Sequence, residues 1–119
     1  MQKESYIKSI EFQGNMTIVR IKGEITFRTL SETQNEFRAK TNGKAIKNIL
    51  FDLNEVTLTD ASGIAALVDL LKFMKEHHTG GKVGLINVSS RIKSLFTIFK
   101  TEPLFEEFNS EKEAIEALC

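Results

Sequence analysis

Val56-Thr-Leu-Thr-Asp60-Ala-Ser-Gly63-Ile-Ala-Ala-Leu67-Val-Asp-Leu-Leu71-Lys-Phe-Met74 is the stretch on which the reading of this chain turns. Immediately before it runs Ile49-Leu-Phe-Asp-Leu53, apolar apart from Asp52. A run without alternation is expected of a central strand covered on both faces or lying beside a parallel neighbour. Within the stretch, Ile64, Leu67, Val68, Leu71 and Met74 recur at helical spacing. They predict a helix from about Ala61 to His77 whose stripe faces the sheet, widened by Leu70 and Phe73. Asp69, Lys72, Lys75 and Glu76 are left for water. Between strand and helix stands a turn of small residues, Asp60-Ala-Ser-Gly63.

The start of such a helix has free backbone N–H groups and the positive end of the dipole, so it favours a phosphate or an acidic side chain. Asp60 is the natural N-cap, worth about 1 kcal/mol. Ser62 then falls in the first turn with its hydroxyl toward solvent, and Gly63 leaves room for another backbone to approach.

Outward from this stretch, strands and helices alternate. Ile7 to Phe12 and Met16 to Lys22, joined by Gln13-Gly-Asn15, predict a β-hairpin. Thr26 to Thr41 reads as a helix in which Thr29 and Glu32 fit a capping box. Its apolar stripe, Leu30, Phe37 and Thr33, is thin, so it is expected to cover the sheet without deep burial; Asn42-Gly43 ends it. After Thr79-Gly-Gly81, Lys82 to Val88 predicts a buried strand, and strand, helix, strand at this spacing predicts a right-handed βαβ unit. Ser89 or Ser90 caps a helix with Ile92, Leu95, Phe96 and Phe99 inward and Arg91, Lys93 and Lys100 outward. Glu102-Pro103 breaks it. Leu104 to Phe108 predicts a short edge strand, and Ser110-Glu-Lys-Glu113 is a second capping box opening a helix with Ala114, Ile115 and Leu118 inward.

The fold class is therefore α/β: one mixed sheet of four to five strands with about four helices packed on it, in a single domain over residues 1–119. With 119 residues, 41% hydrophobic and 27% charged, the chain supports one core and is too short for two. Sixteen basic and sixteen acidic residues cancel, which leaves no footprint for nucleic acid or an anionic membrane. The N-terminal residues lack the apolar core of a signal peptide and no run is long enough to span a bilayer, so a cytoplasmic location is expected.

Enzyme and metal chemistry find little support. Cys119 is the single cysteine and terminal, which excludes an intrachain disulfide or cysteine cluster. His77 and His78 are adjacent on the predicted helix, point about 100° apart and have no evident third ligand. They stand about 20 Å from Ser62, too far to activate it. No phosphate-binding glycine loop or nucleophile motif is present. No cofactor is expected.

Asp60-Ala-Ser-Gly-Ile64 after an apolar strand, with Gly23-Glu-Ile-Thr26 upstream and Gly80-Gly-Lys-Val-Gly-Leu-Ile-Asn-Val88 downstream, resembles the STAS domain over nearly the whole chain. That fold occurs in bacterial anti-sigma factor antagonists and in the cytoplasmic tails of sulfate transporters. For the regulatory members, the resemblance implies a phosphorylation switch. A kinase-like anti-sigma partner modifies a Ser or Thr in the turn, and the modified protein releases it. The acceptor usually follows the Asp directly. Here that position is Ala61, without a hydroxyl, and Thr26 stands where many antagonists have an Asp.

Three readings of Ser62 stay open: a first-turn residue without a regulatory role, a phosphoacceptor displaced by one position, or part of a constitutive docking surface. Thr57 and Thr59 are further hydroxyls nearby, more simply a strand end. The expected partner surface comprises Thr26, Phe27, Arg28, Asp60, Ala61, Ser62, Gly63 and Ile64. The resemblance implies a non-enzymatic module that binds an anti-sigma factor, a serine kinase-like protein. The other reading is an accessory subunit of a membrane transport system, of sulfate-transporter-tail or ABC-transporter type.

Overall fold

The computed structural model describes residues 7–25, 27–42, 47–57, 65–69, 72–73, 82–98 and 106–118. Its elements are β1 (Ile7–Gln13), β2 (Met16–Glu24), α1 (Phe27–Thr41), β3 (Asn48–Thr57), α2 (helical residues 65–69 and 72–73), β4 (Val83–Ile86), α3 (Ser90–Ile98), β5 (Glu106–Glu107) and α4 (Glu111–Leu118). The five strands form one sheet in the order β1-β2-β3-β4-β5, with β1 antiparallel to β2 and every later pair parallel. The expected mixed sheet and its four helices are thus both present.

The hairpin closes at Gln13↔Met16 around Gly14 and Asn15. Of these two only Gly14 has positive φ, at 57°, the arrangement that places glycine first in a type II′ turn. Beyond the hairpin, period-2 alternation divides β2 between two cores. Val19 and Ile21 join Phe51, Leu53 and Leu85 under α1, α2 and α3, contacting Phe37, Ala66, Leu67, Val68, Ile92 and Phe96 in one cluster. Met16 and Ile18 join Leu50 and Ile86 on the opposite face, covered by Ala114 and Leu118 of α4.

Several expectations shift. Phe37 and Thr33 are 0% and 1% exposed, so α1 is deeply buried along its thin stripe. A narrow stripe limits how many residues are buried, not how far each one is. The helix also begins at Phe27, which puts Thr29 inside the first turn and not at a cap. Ile25 is buried and its N–H donates to the Thr57 carbonyl at 3.3 Å, so a tertiary tether brings the chain into the helix before the local capping signal. β2 and β3 run past the expected ends at Lys22 and Leu53, because the parallel ladder continues to Glu24↔Thr57.

β4, by contrast, stops at Ile86 instead of reaching Val88. Asn87 takes φ 58°, a left-handed conformation that asparagine tolerates and a strand does not. At the start of α3 the choice between two serines resolves to Ser89, whose Oγ accepts from the Ile92 N–H at 3.2 Å. In α4, Ser110 Oγ accepts from the Glu113 N–H at 3.1 Å, while the Glu113 carboxylate reaches back past the cap to the Asn109 N–H at 3.1 Å. Leu70, Leu71, Met74, Phe99, Lys100, Leu104, His77, His78 and Cys119 lie outside the described residues.

Candidate functional site

The site is built from the carboxyl ends of β2 and β3. These strands are parallel and paired through Gly23↔Val56 and Glu24↔Thr57, so both chains leave the sheet at one edge. Gly23 has φ 85°, which an L side chain rarely adopts, and so bends the end of β2 where its successors must reach α1. Among the described residues, Ile25 N–H to Thr57 O is the last backbone tie between these two strand ends. From there one chain enters α1 at Phe27, and the other proceeds to the segment that precedes α2.

Of the expected surface residues, Arg28 is exposed in the first turn of α1 and Phe27 is its first helical residue. Thr57 is the exposed last residue of β3, a strand end as anticipated. Thr26, Thr59, Asp60, Ala61, Ser62, Gly63 and Ile64 lie outside the described residues. Downstream, Ala66, Leu67 and Val68 are buried and Asp69 and Lys72 exposed, so α2 presents to the sheet the face its spacing predicts. Arg38 of α1 stacks over the Phe73 ring of α2, 4.9 Å from its centroid, and joins the two helices that flank this edge.

The family model for the STAS domain matches residues 8–114. The chain belongs to the STAS family. An anti-sigma-factor antagonist STAS domain protein from Planctomyces limnophilus has a similar structure, with TM-score 0.73 at 19% identity over 98% of this chain and 100% of the other. The anti-sigma factor antagonist SpoIIAA in its unphosphorylated form matches with TM-score 0.65 at 17% identity, covering 92% of this chain and 93% of that one. The Bacillus cell fate determinant SpoIIAA in its phosphorylated form matches with TM-score 0.62 at 17% identity, covering 93% and 98%. At such identities these likenesses establish the shared STAS fold.

This STAS domain also carries a polar cluster that inspection of the sequence passes over. On the sheet face that α4 covers, beyond the end of its apolar contacts, Arg20 of β2 is surrounded by three carboxylates. Its Nε donates to Glu11 at 2.8 Å, and its Nη1 contacts Asp52 at 2.7 Å and Glu111 at 2.8 Å. The hydrogen bond to Glu111 contributes most to raising the Arg20 pKa; burial opposes it, and Asp52 and Glu11 add to the rise. Asp52 itself is only 8% exposed. Burial pushes its carboxyl up, but hydrogen bonds from the Asn87 side chain, the Asn54 N–H and Arg20 together outweigh that and hold it below the ordinary carboxylate range.

The one signal available was the break that Asp52 makes in an otherwise apolar strand. Apart from the nearby Asn54 N–H, its partners come from positions 20 and 87, which no local pattern connects, and Arg20 in turn reaches Glu111. Among the described residues no group of three or more His, Cys, Asp or Glu is placed to hold a metal ion. No described helix is long and apolar enough to cross a membrane.

Proposed function

We propose that this STAS domain is a non-enzymatic, cytoplasmic regulatory module of the anti-sigma factor antagonist type, which binds a kinase-like anti-sigma protein. The docking surface in this reading comprises Thr26 to Arg28 and Asp60 to Ile64. The observation that supports it is the pairing of the carboxyl ends of β2 and β3, tied by Ile25 to Thr57, from which the chain continues toward both segments. Two sequence-distant segments that continue from neighbouring strand ends can together form a composite surface for a protein partner. Because the chain belongs to the STAS family, the regulatory partner of that family's antagonists is the natural occupant.

Ser62 is the candidate phosphoacceptor. In this reading a phosphate there adds about two negative charges to the partner surface, two residues after Asp60 in sequence, and is expected to change that surface more than the fold. Ala61 removes the hydroxyl from the usual acceptor position, which makes Ser62, and after it Thr57 and Thr59, the groups to examine.

A photo-crosslinking residue placed at position 62, with a control at Lys112 on α4, tests this in the native cell. Crosslinks from position 62 alone to an ATP-binding, kinase-like protein support the proposal. Crosslinks to a permease or transport ATPase favour the accessory-subunit reading, and a partner captured equally from Lys112 overturns the assigned surface. Peptide mass spectrometry on the unsubstituted protein from the same cells reads phosphate at Ser62, Thr57 and Thr59.

A further inference from the structure

The β2–β3 ladder contains an irregularity. Arg20 pairs with Asp52 but Lys22 pairs with Glu55, so two steps along β2 correspond to three along β3. One extra residue in a parallel pair is a rare kind of β-bulge. Its effect is visible in the packing: Leu53 and Val56 are three apart, yet both are buried in the same core cluster, at 1% and 8% exposure. Strict alternation would turn Val56 to the opposite face and direct Glu55 into the core. With the extra residue, Glu55 stays exposed and forms an ion pair with Lys8.

Asp52 grips this irregularity from its first residue. Its Oδ1 accepts from the Asn54 N–H at 3.0 Å, the backbone group inside the extra step. The same oxygen accepts from Asn87 Nδ2 at 2.9 Å, and Oδ2 faces Arg20 Nη1 at 2.7 Å. At this point β3 also loses one neighbour, since its pairing with β4 ends at Asp52↔Ile86. Among the described strands only β2 continues to pair with β3 from there to Thr57.

From this geometry we infer that Asp52 is a positioning residue for the docking surface, acting through the bulge to set the register in which β3 delivers Thr57 beside Ile25. The inference rests on the proposed function for its consequence in binding, but its structural part is independent of any partner. If the bulge slips by one residue, every later side chain of β3 changes face, and the segment that follows Thr57 starts from a different point on the edge. Asp52 touches no partner in this scheme; it determines where the contacting residues are presented.

The test uses the free protein, with amide hydrogen exchange and backbone NMR on Asp52→Ala, Asp52→Asn and, as a destabilised control, Leu118→Ala. Asn keeps an oxygen for the Asn54 and Asn87 donors, whereas Ala does not. Expected for Asp52→Ala is about tenfold faster exchange at Ile25, as expected when one hydrogen bond ceases to hold. Chemical-shift changes should spread through residues 55–64, with Leu85 unaffected. Asp52→Asn should restore the wild-type pattern, and Leu118→Ala should not reproduce it. Changes confined to residues 20, 54 and 87, or an Asn variant that behaves like Ala, overturn the assignment. Loss of partner crosslinking in Asp52→Ala with retention in Asp52→Asn then extends the result to binding. Should wild-type protein crosslink to no kinase-like partner, the proposed function fails while the exchange result still decides the role of Asp52.

Discussion

At the scale of single residues, Ser62 and Asp52 carry the functional argument in different ways. If the proposed docking surface is used, Ser62→Asp adds a charge to it and should weaken partner binding in a titration while leaving the melting temperature nearly unchanged. Unchanged affinity would remove Ser62 from the interface. Asp52 gives a prediction in acid. Because its folded pKa lies below the ordinary carboxylate value, its contribution to stability is fully present above about pH 4 and is lost as pH falls through the folded value. Urea unfolding of wild type and Asp52→Asn should therefore differ most at neutral pH and converge in strong acid. A constant gap across the titration would show that the carboxylate charge is not what Asp52 contributes.

Among the elements, α2 and α4 test the two faces of the sheet. Leu67 is fully buried in the larger cluster, and Leu67→Ala should cost about 2–5 kcal/mol in denaturant unfolding. On the other face, Gly84 of β4 lies under α4 and the ring of Phe108. A Cβ at Gly84 would stand 2.7 Å from Phe108 Cε2 and 3.1 Å from Leu118 Cδ1. Gly84→Ala should therefore lower stability by about 1–3 kcal/mol through overpacking, measured the same way. Stability equal to wild type would mean that Phe108 moves aside freely.

The existence and type of these elements were legible because each rests on local periodicity: the apolar run of β3, the 3.6-residue spacing of α2 and α3, the serine caps at Ser89 and Ser110. What escaped depends on contacts between distant positions. The buried depth of Phe37, the early start of α1 and the extra residue at Asn54 all arise from tertiary ties, and Asp52 looked like a flaw in a strand until Arg20 of β2 and Asn87, just past β4, were in place beside it. Of the candidate site, sequence indicated the turn and the helix that follows it. The edge on which Thr57 and Ile25 meet became visible only through strand pairing.

On the scale of the molecule, the two faces differ in purpose. Three helices bury one side of the sheet, whereas α4 covers the other only as far as Arg20, beyond which Lys22 and Glu55 meet water. Ile25 and Val56, at the strand ends from which the proposed docking segments continue, are both anchored in the larger core. The strand order carries a different consequence. Because β1 to β5 lie side by side in the order in which they occur, each pairing closes the shortest loop the connecting segments allow, and no strand must insert between two already paired. The sheet can then grow by successive addition, but three of its pairings are parallel and join strands distant in sequence, the kind of contact that slows folding. The helix that arrives last, α4, then contributes mainly to how long the folded state survives: Leu118→Ala should speed unfolding in stopped-flow experiments and leave the refolding rate almost untouched.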